Sequence, residues 1–211
     1  MNLTVESYLQ QRERWPESGR HILAQFDDET IVVYQAYRSE IGRYAAQHGR
    51  FGDGFSLKRM TWIKPNFLWM MYRSGWGTKE GQEVVLAIRL RRSGFESILA
   101  QAVPSTFDAT RFDSEGSWSK AVAASSVRLQ WDPDHHPSGA KLERRAIQLG
   151  LRDSALQSFV SEWIVSIEDI SEFVSEQRRL VETDNLSALR TPCETPYPVA
   201  APEVAKALGL S

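Results

Sequence analysis

No stretch constrains this chain more than the run from Arg59 to Trp76, which gathers three of the seven tryptophans and three cations. Large flat side chains at that density need a whole domain to cover them. Pro65 divides the run. Ahead of it, Met60, Trp62 and Lys64 alternate with Arg59, Thr61 and Ile63, the period of a strand. Pro65 itself has no backbone donor and a fixed φ, which suits a helix's first turn and keeps Lys64 out of helical geometry. From Asn66 onward Phe67, Trp69, Met70, Met71 and Tyr72 recur at helical spacing, and Gly75 is placed to cap the end. The spacing predicts a strand handing over to a helix, with the Trp and Met side chains in the core. Thr61, Lys64 and Arg73 stand apart, because polar groups inside so apolar a segment require partners.

The 211 residues around this run, 42% of them hydrophobic, suffice for one domain with a sizeable core. No apolar run approaches the ~20 residues of a membrane span, and the opening Met1, Asn2, Leu3, Thr4 and Val5 lack the basic and apolar regions of a signal peptide. The expectation is a cytoplasmic protein with no membrane partner. The one cysteine, Cys193, rules out internal disulfides and thiolate metal clusters, and reads as part of a surface loop among Pro192, Thr195 and Pro196. Charge is unevenly placed: residues 50–92 hold nine cations against three acids, whereas residues 160–211 hold nine acids against four cations. The basic middle could meet phosphates, or the two halves could neutralise each other across the fold.

In chain order, residues 1–19 read as an N-terminal arm with one short helix, residues 20–190 as a single α+β domain, and residues 191–211 as a Pro-rich tail ending in a turn of helix. Residues 30–37 form a nearly continuous apolar β-run, hence a central strand covered on both faces, and Gln35 within it must find hydrogen bonds or a ligand. Ser39 is placed as the N-cap of a helix through Ile41, Tyr44, Ala45 and His48 that Gly49 stops. Residues 83–90, 127–131, 146–151 and 163–167 read as further strands, with helices from Ser93, from Ser114, from Asp153 as N-cap, and along Ile170, Phe173, Val174, Gln177 and Val181. Asp132, Asp134, His135 and His136 raise the question of a metal. Adjacent side chains on an extended chain point apart, and no other His-rich segment supplies ligands, so a solvated turn is expected there and no metal is assigned.

The runs Asp27 to Tyr37, Arg59 to Pro65, Val127 to Pro133 and Glu162 to Ile167 together resemble a bacterial family catalogued as domain of unknown function 4291, over roughly residues 20–200. The order of elements is also similar, more distantly, to the ADP-ribosyltransferase core, which implies a split mixed β-sheet with flanking helices and NAD as substrate. In that superfamily a His or Arg on the first strand holds the NAD ribose, a Ser, Thr or Tyr on the second lies near the nicotinamide pocket, and a Glu at a late strand polarises the ribose. By position Gln35 stands at the first motif, a departure from His or Arg, Thr61 or Trp62 at the second, and Glu162 at the third. The resemblance thus implies Glu162, Gln35 and Thr61 as catalytic residues. Tyr34 or Trp62 would stack on nicotinamide, and Arg59, Lys64 and Arg73 would pair with the pyrophosphate. A carboxylate at Glu162 would stabilise positive charge developing on the ribose; an exposed helix-end carboxylate is the plainer account of the same residue.

Two classes of function follow. One is an ADP-ribosyltransferase-like enzyme that moves ADP-ribose from NAD to an acceptor, with a nucleic acid or nucleobase suggested by the basic middle. The other is a non-catalytic nucleic-acid-binding module whose Trp62, Trp69 and Trp76, with Arg59, Lys64 and Arg73, form a stacking and phosphate surface. The first expects Tyr34, Gln35, Thr61 and Glu162 around one cleft; the second fails if the tryptophans are internal.

Overall fold

The computed structural model describes residues 3–211; the first two residues of the expected arm lie outside the described residues. Along the chain run β1 (Val5–Ser7), α1 (Tyr8–Arg12), β2 (Leu23–Ala24), β3 (Thr30–Tyr37), α2 (Ser39–His48), β4 (Thr61–Ile63) and α3 (Phe67–Ser74). Next come β5 (Val84–Arg91), α4 (Arg92–Ala100), β6 (Ala102–Pro104), α5 (Glu115–Ala124), β7 (Val127–His135) and β8 (Lys141–Leu151). The last part holds α6 (Asp153–Ser158), which continues into a π-helical turn (Phe159–Trp163), then β9 (Ile164–Asp169), α7 (Ser171–Glu182), β10 (Arg190–Pro192), β11 (Thr195–Pro196) and α8 (Pro202–Leu208).

Two sheets make the body of this mixed α/β domain. One is antiparallel in the order β3-β5-β9; the other has the order β4-β8-β7-β6, with β6 parallel to β7 and the other pairs antiparallel. A single bridge joins them: Tyr34 N–H donates to the Lys64 carbonyl at 2.7 Å, and Lys64 N–H donates back at 3.3 Å. Beyond that bridge β3 and β4 part. β3 is therefore an edge strand of its own sheet, not a central one, but the expected cover on both faces is present. Ile31 and Val33 face a core shared with Leu129, Ile147, Leu149 and Leu151 of the second sheet. Val32 and Tyr34 face a second cluster with Phe67, Met70 and Met71 of α3 and Val174 of α7. Each such aliphatic burial contributes on the order of 1.5–3 kcal/mol.

The stretch from Arg59 to Trp76 folds as strand then helix, as its pattern demands, but the strand is only Thr61–Ile63, Pro65 lies ahead of α3 and not in its first turn, and Met60 and Trp62 are half-buried. Asn66 caps α3 by accepting the Trp69 N–H at 2.7 Å, and Gly75 closes it in the left-handed region at φ 58°. Trp69, Met70, Met71 and Trp76 are buried, as expected. The segment read as a solvated turn at Asp132 to His136 is instead largely strand: β7 runs through Pro133 to His135, with a register irregularity there. Asp134 and His135 are buried because Asp134 finds Arg144 at 2.6 Å across the hairpin. Two residues expected as N-caps are instead the first residues of their helices: Asp153 of α6, at φ 47°, with Arg152 at the N-cap position, and Ser39 of α2, with Arg38 there. The residues expected as separate arm and tail meet as the pair β1–β10, while β11 pairs with β2. Tyr8, Gln11, Trp15 and Glu194 are buried there. None of the helices of the described residues is long and apolar enough to cross a membrane.

Candidate functional site

Where β3 and β4 part, the side chain of Gln35 enters the gap. Its Nε2 donates to Thr61 Oγ1 at 2.8 Å and to the Trp62 carbonyl at 2.9 Å. A carbonyl only accepts, so the amide must turn its NH₂ toward Trp62, and Oε1 is left buried with no protein partner. The Tyr37 hydroxyl, two residues along the same face of β3, completes the group at 3.0 Å from Thr61 Oγ1. Burial lifts the Tyr37 phenol well above its ordinary range, so it stays protonated and able to donate.

Lys64 stands one residue past β4 and is 6% exposed. Its ammonium reaches the Trp62 carbonyl at a long 3.4 Å and lies 5.3 Å from the centroid of the Trp69 ring, with no carboxylate in salt-bridge contact among the described residues. Burial pushes its pKa down to about 7; the Arg73 charge adds to the fall and Asp132 opposes it. Asp132 is fixed by two amides: Gln130 Nε2 donates to one carboxylate oxygen at 2.9 Å and Gln148 Nε2 to the other at 2.7 Å. Gln130 and Gln148 pair across β7 and β8, and Gly150 on β8 leaves the space that the Trp62 ring and Met60 occupy. Gln35, Tyr37, Thr61, Trp62, Lys64, Arg73, Gln130 and Gln148 thus line one polar cavity of about 370 Å³. A second cavity of about 380 Å³ adjoins it through Tyr37, Met60 and Thr61, and adds Arg38, Phe55 and Arg59. Each is of a size that takes a small-molecule ligand.

Of the residues singled out in the sequence, Gln35, Thr61, Trp62, Lys64 and Arg73 come together in the first cavity, and Arg59 lines the second. Tyr34 does not join them. Successive residues on a strand face opposite ways, so Tyr34 is fully buried on the other face of β3, packed edge-on against Phe67. Glu162 is exposed in the π-helical turn and is not among the residues that line these cavities. The register explains why: β9 starts opposite Leu90, which pairs with Ile31, whereas Gln35 pairs with Leu86. Four residues of strand, roughly 13 Å, separate those two levels. The expected single cleft around Tyr34, Gln35, Thr61 and Glu162 is therefore not formed. Nor do the three tryptophans share a surface, since Trp69 and Trp76 are buried and Trp76 Nε1 donates to the Pro137 carbonyl at 3.2 Å.

Tyr37, Gln130 and Gln148 were not singled out from the sequence, and Asp132 was considered only as a metal ligand. A signal was available for the two glutamines, because each interrupts an apolar strand as Gln35 does. No group of three or more His, Cys, Asp or Glu among the described residues is arranged to hold a metal ion.

A family model described as "Domain of unknown function (DUF4291)" matches residues 21–197. No curated protein matches the chain.

Proposed function

Since the chain belongs to the DUF4291 family, whose description states no activity, we propose a function from the cavity's chemistry: it is a nucleotide site that takes NAD, and the protein transfers ADP-ribose from it. One observation carries this reading. The buried Gln35 Oε1 asks for a donor, and the Lys64 ammonium, which shares the Trp62 carbonyl with the Gln35 amide, lacks a counter-ion. A ribose hydroxyl next to a phosphate supplies both. Gln35 then meets the ribose through its oxygen, the role that the resemblance implies for the first strand. Lys64 and Arg73 meet phosphate, and the Trp62 ring and Phe55 offer apolar faces to the bases.

NAD supplies the reactive bond between nicotinamide and ribose, whose cleavage leaves positive charge on the sugar. The carboxylate assigned to that charge in place of Glu162 is Asp132, which stands behind the cavity wall, holds the lining amides of Gln130 and Gln148, and acts electrostatically on Lys64. The acceptor is a nucleic acid or nucleobase. Titration of NAD into the wild-type protein and into Gln35→Leu, with free nicotinamide measured over time, tests the reading. Binding weakened about tenfold in the variant, the equivalent of 1.4 kcal/mol, is expected. Equal binding in both proteins, or none in the wild type, refutes it. Wild-type binding without nicotinamide release removes the transfer step and leaves a nucleotide-binding protein.

A further inference from the structure

β6 ends at Pro104, and past that point the edge of β7 at Gln130 and Trp131 loses its neighbour. A cavity of about 270 Å³ opens there and shares Gln130 with the Lys64 cavity. Its charged side chains are Arg20, Arg111 and Asp108, and Ser105 and Thr106 add hydroxyl groups. Asp108 is already engaged by its own turn, where one oxygen accepts the Thr110 N–H at 2.9 Å and the Thr110 hydroxyl at 2.6 Å. Neither guanidinium has a hydrogen-bond or ion-pair partner among the described residues.

Two guanidinium groups share this cavity with one carboxylate, Asp108, whose charge acts on both, so the cavity is left with a net positive charge that a bound anion would balance. Burial and the Arg20 charge both lower the Arg111 pKa, against the pull of Asp108. Arg20 is held in place all the same. Its N–H donates to Ser211 Oγ at 2.9 Å, its carbonyl accepts the Ser211 N–H at 3.1 Å, and its guanidinium lies against Gly209. A Cβ at Gly209 would fall 2.6 Å from Arg20 Nη1, and the backbone there has φ 70°, so glycine is what lets the side chain lie as it does. The result is two planar donor groups, Arg20 exposed at the rim and Arg111 half-buried, flanked by hydroxyls, in a cavity with room for one tetrahedral oxyanion.

We propose that this cavity is an anion subsite for a phosphomonoester, the terminal phosphate of a nucleic-acid acceptor. Lys64 beside β4 and Pro104 at the end of β6 are three strand spacings apart, roughly 14 Å, so donor and acceptor phosphates would occupy opposite margins of one sheet. The assignment to the acceptor rests on the NAD reading above, whereas phosphate binding at Arg20 and Arg111 does not.

Calorimetric titration with inorganic phosphate and with a nucleoside monophosphate, at constant ionic strength and without NAD, tests the subsite. The proteins compared are the wild type, Arg20→Gln, Arg111→Gln, Arg111→Lys and, as a control at an exposed residue that lines neither cavity, Glu162→Gln, each checked by a thermal melt. Saturable binding is expected in the wild type. Either Gln variant weakens one binding step about tenfold or more, Arg111→Lys recovers part of the loss, and Glu162→Gln leaves it unchanged. Three results overturn the proposal: no saturation in the wild type, isotherms unchanged in both Gln variants, or a loss in Glu162→Gln as large as in the arginine variants. Failure of NAD to bind while phosphate still depends on Arg20 and Arg111 refutes the NAD reading alone.

Discussion

Two sets of buried polar groups flank α3, and only one of them closes on itself. At the N-terminal end of α3, Glu194 accepts the Phe67 N–H at 2.7 Å and the Asn66 amide at 3.3 Å, its own N–H goes to Gln11 at 2.8 Å, and its carbonyl takes Trp15 Nε1 at 2.8 Å. Gln11 in turn donates to Thr191. Both chain ends are tied to the core through these bonds. At the split between β3 and β4, by contrast, Gln35 Oε1 has no partner and Lys64 has one long bond. Low dielectric makes satisfied networks rigid and unsatisfied groups expensive. The first set therefore holds the fold, while the second retains a cost that a ligand would relieve.

The largest expected effect breaks the closed set. Glu194→Ala strands the Phe67 N–H and the Asn66 amide, at ~1–3 kcal/mol each, and leaves a cavity, so urea unfolding should show a loss of about 3–5 kcal/mol. A loss below ~1 kcal/mol would mean that the network is open to water and the contrast with Gln35 is false.

Lys64→Met should move the other way. With its pKa lowered from 10.5 to about 7 in the fold, the unfolded chain binds more protons between those values, so wild-type stability rises with pH across that window. The penalty is largest at and below pH 7, where the variant should be more stable by about 2–4 kcal/mol, and it should vanish near the upper end. A variant less stable than the wild type at pH 7 would assign Lys64 to the closed kind of network.

The smallest effect concerns Glu162→Gln. An exposed carboxylate distant from the cavity should change neither the melting temperature, beyond the ~0.5 kcal/mol typical of surface sites, nor nicotinamide release. A fall of a hundredfold in release would restore Glu162 to the site and displace Asp132.

Local pattern was enough for the elements around the site. β3 over Thr30–Tyr37, the Gly75 cap of α3 and the Gly49 stop of α2 all follow from periodicity and cap chemistry within a few residues. Gln35 and Thr61 drew notice as polar groups in apolar strands, and they meet. What local pattern does not carry is register. Glu162 sits at the entry to a strand as expected, but the pairing of β9 on β5 decides which end of the sheet that entry occupies. The solvated turn expected at Asp132 to His136 is not formed, because a register irregularity lets β7 pass through Pro133, and the Asp134–Arg144 pair that buries this segment joins residues across a hairpin. Glu194 was hidden in the Pro-rich tail because its partner is a backbone N–H at Phe67, 127 positions away, with no complementary charge to reveal it.

Proton uptake on binding tests the central claim most directly. If the nucleotide phosphate becomes the missing counter-ion of Lys64, the lysine pKa must rise, and at pH 7 about half a proton should be taken up per NAD bound. Calorimetric titration of NAD in two buffers of different ionisation enthalpy reads this number. The account predicts uptake near half a proton in the wild-type protein and none in Lys64→Met. NAD that binds the wild-type protein without proton uptake, or with the same uptake in the variant, would contradict it.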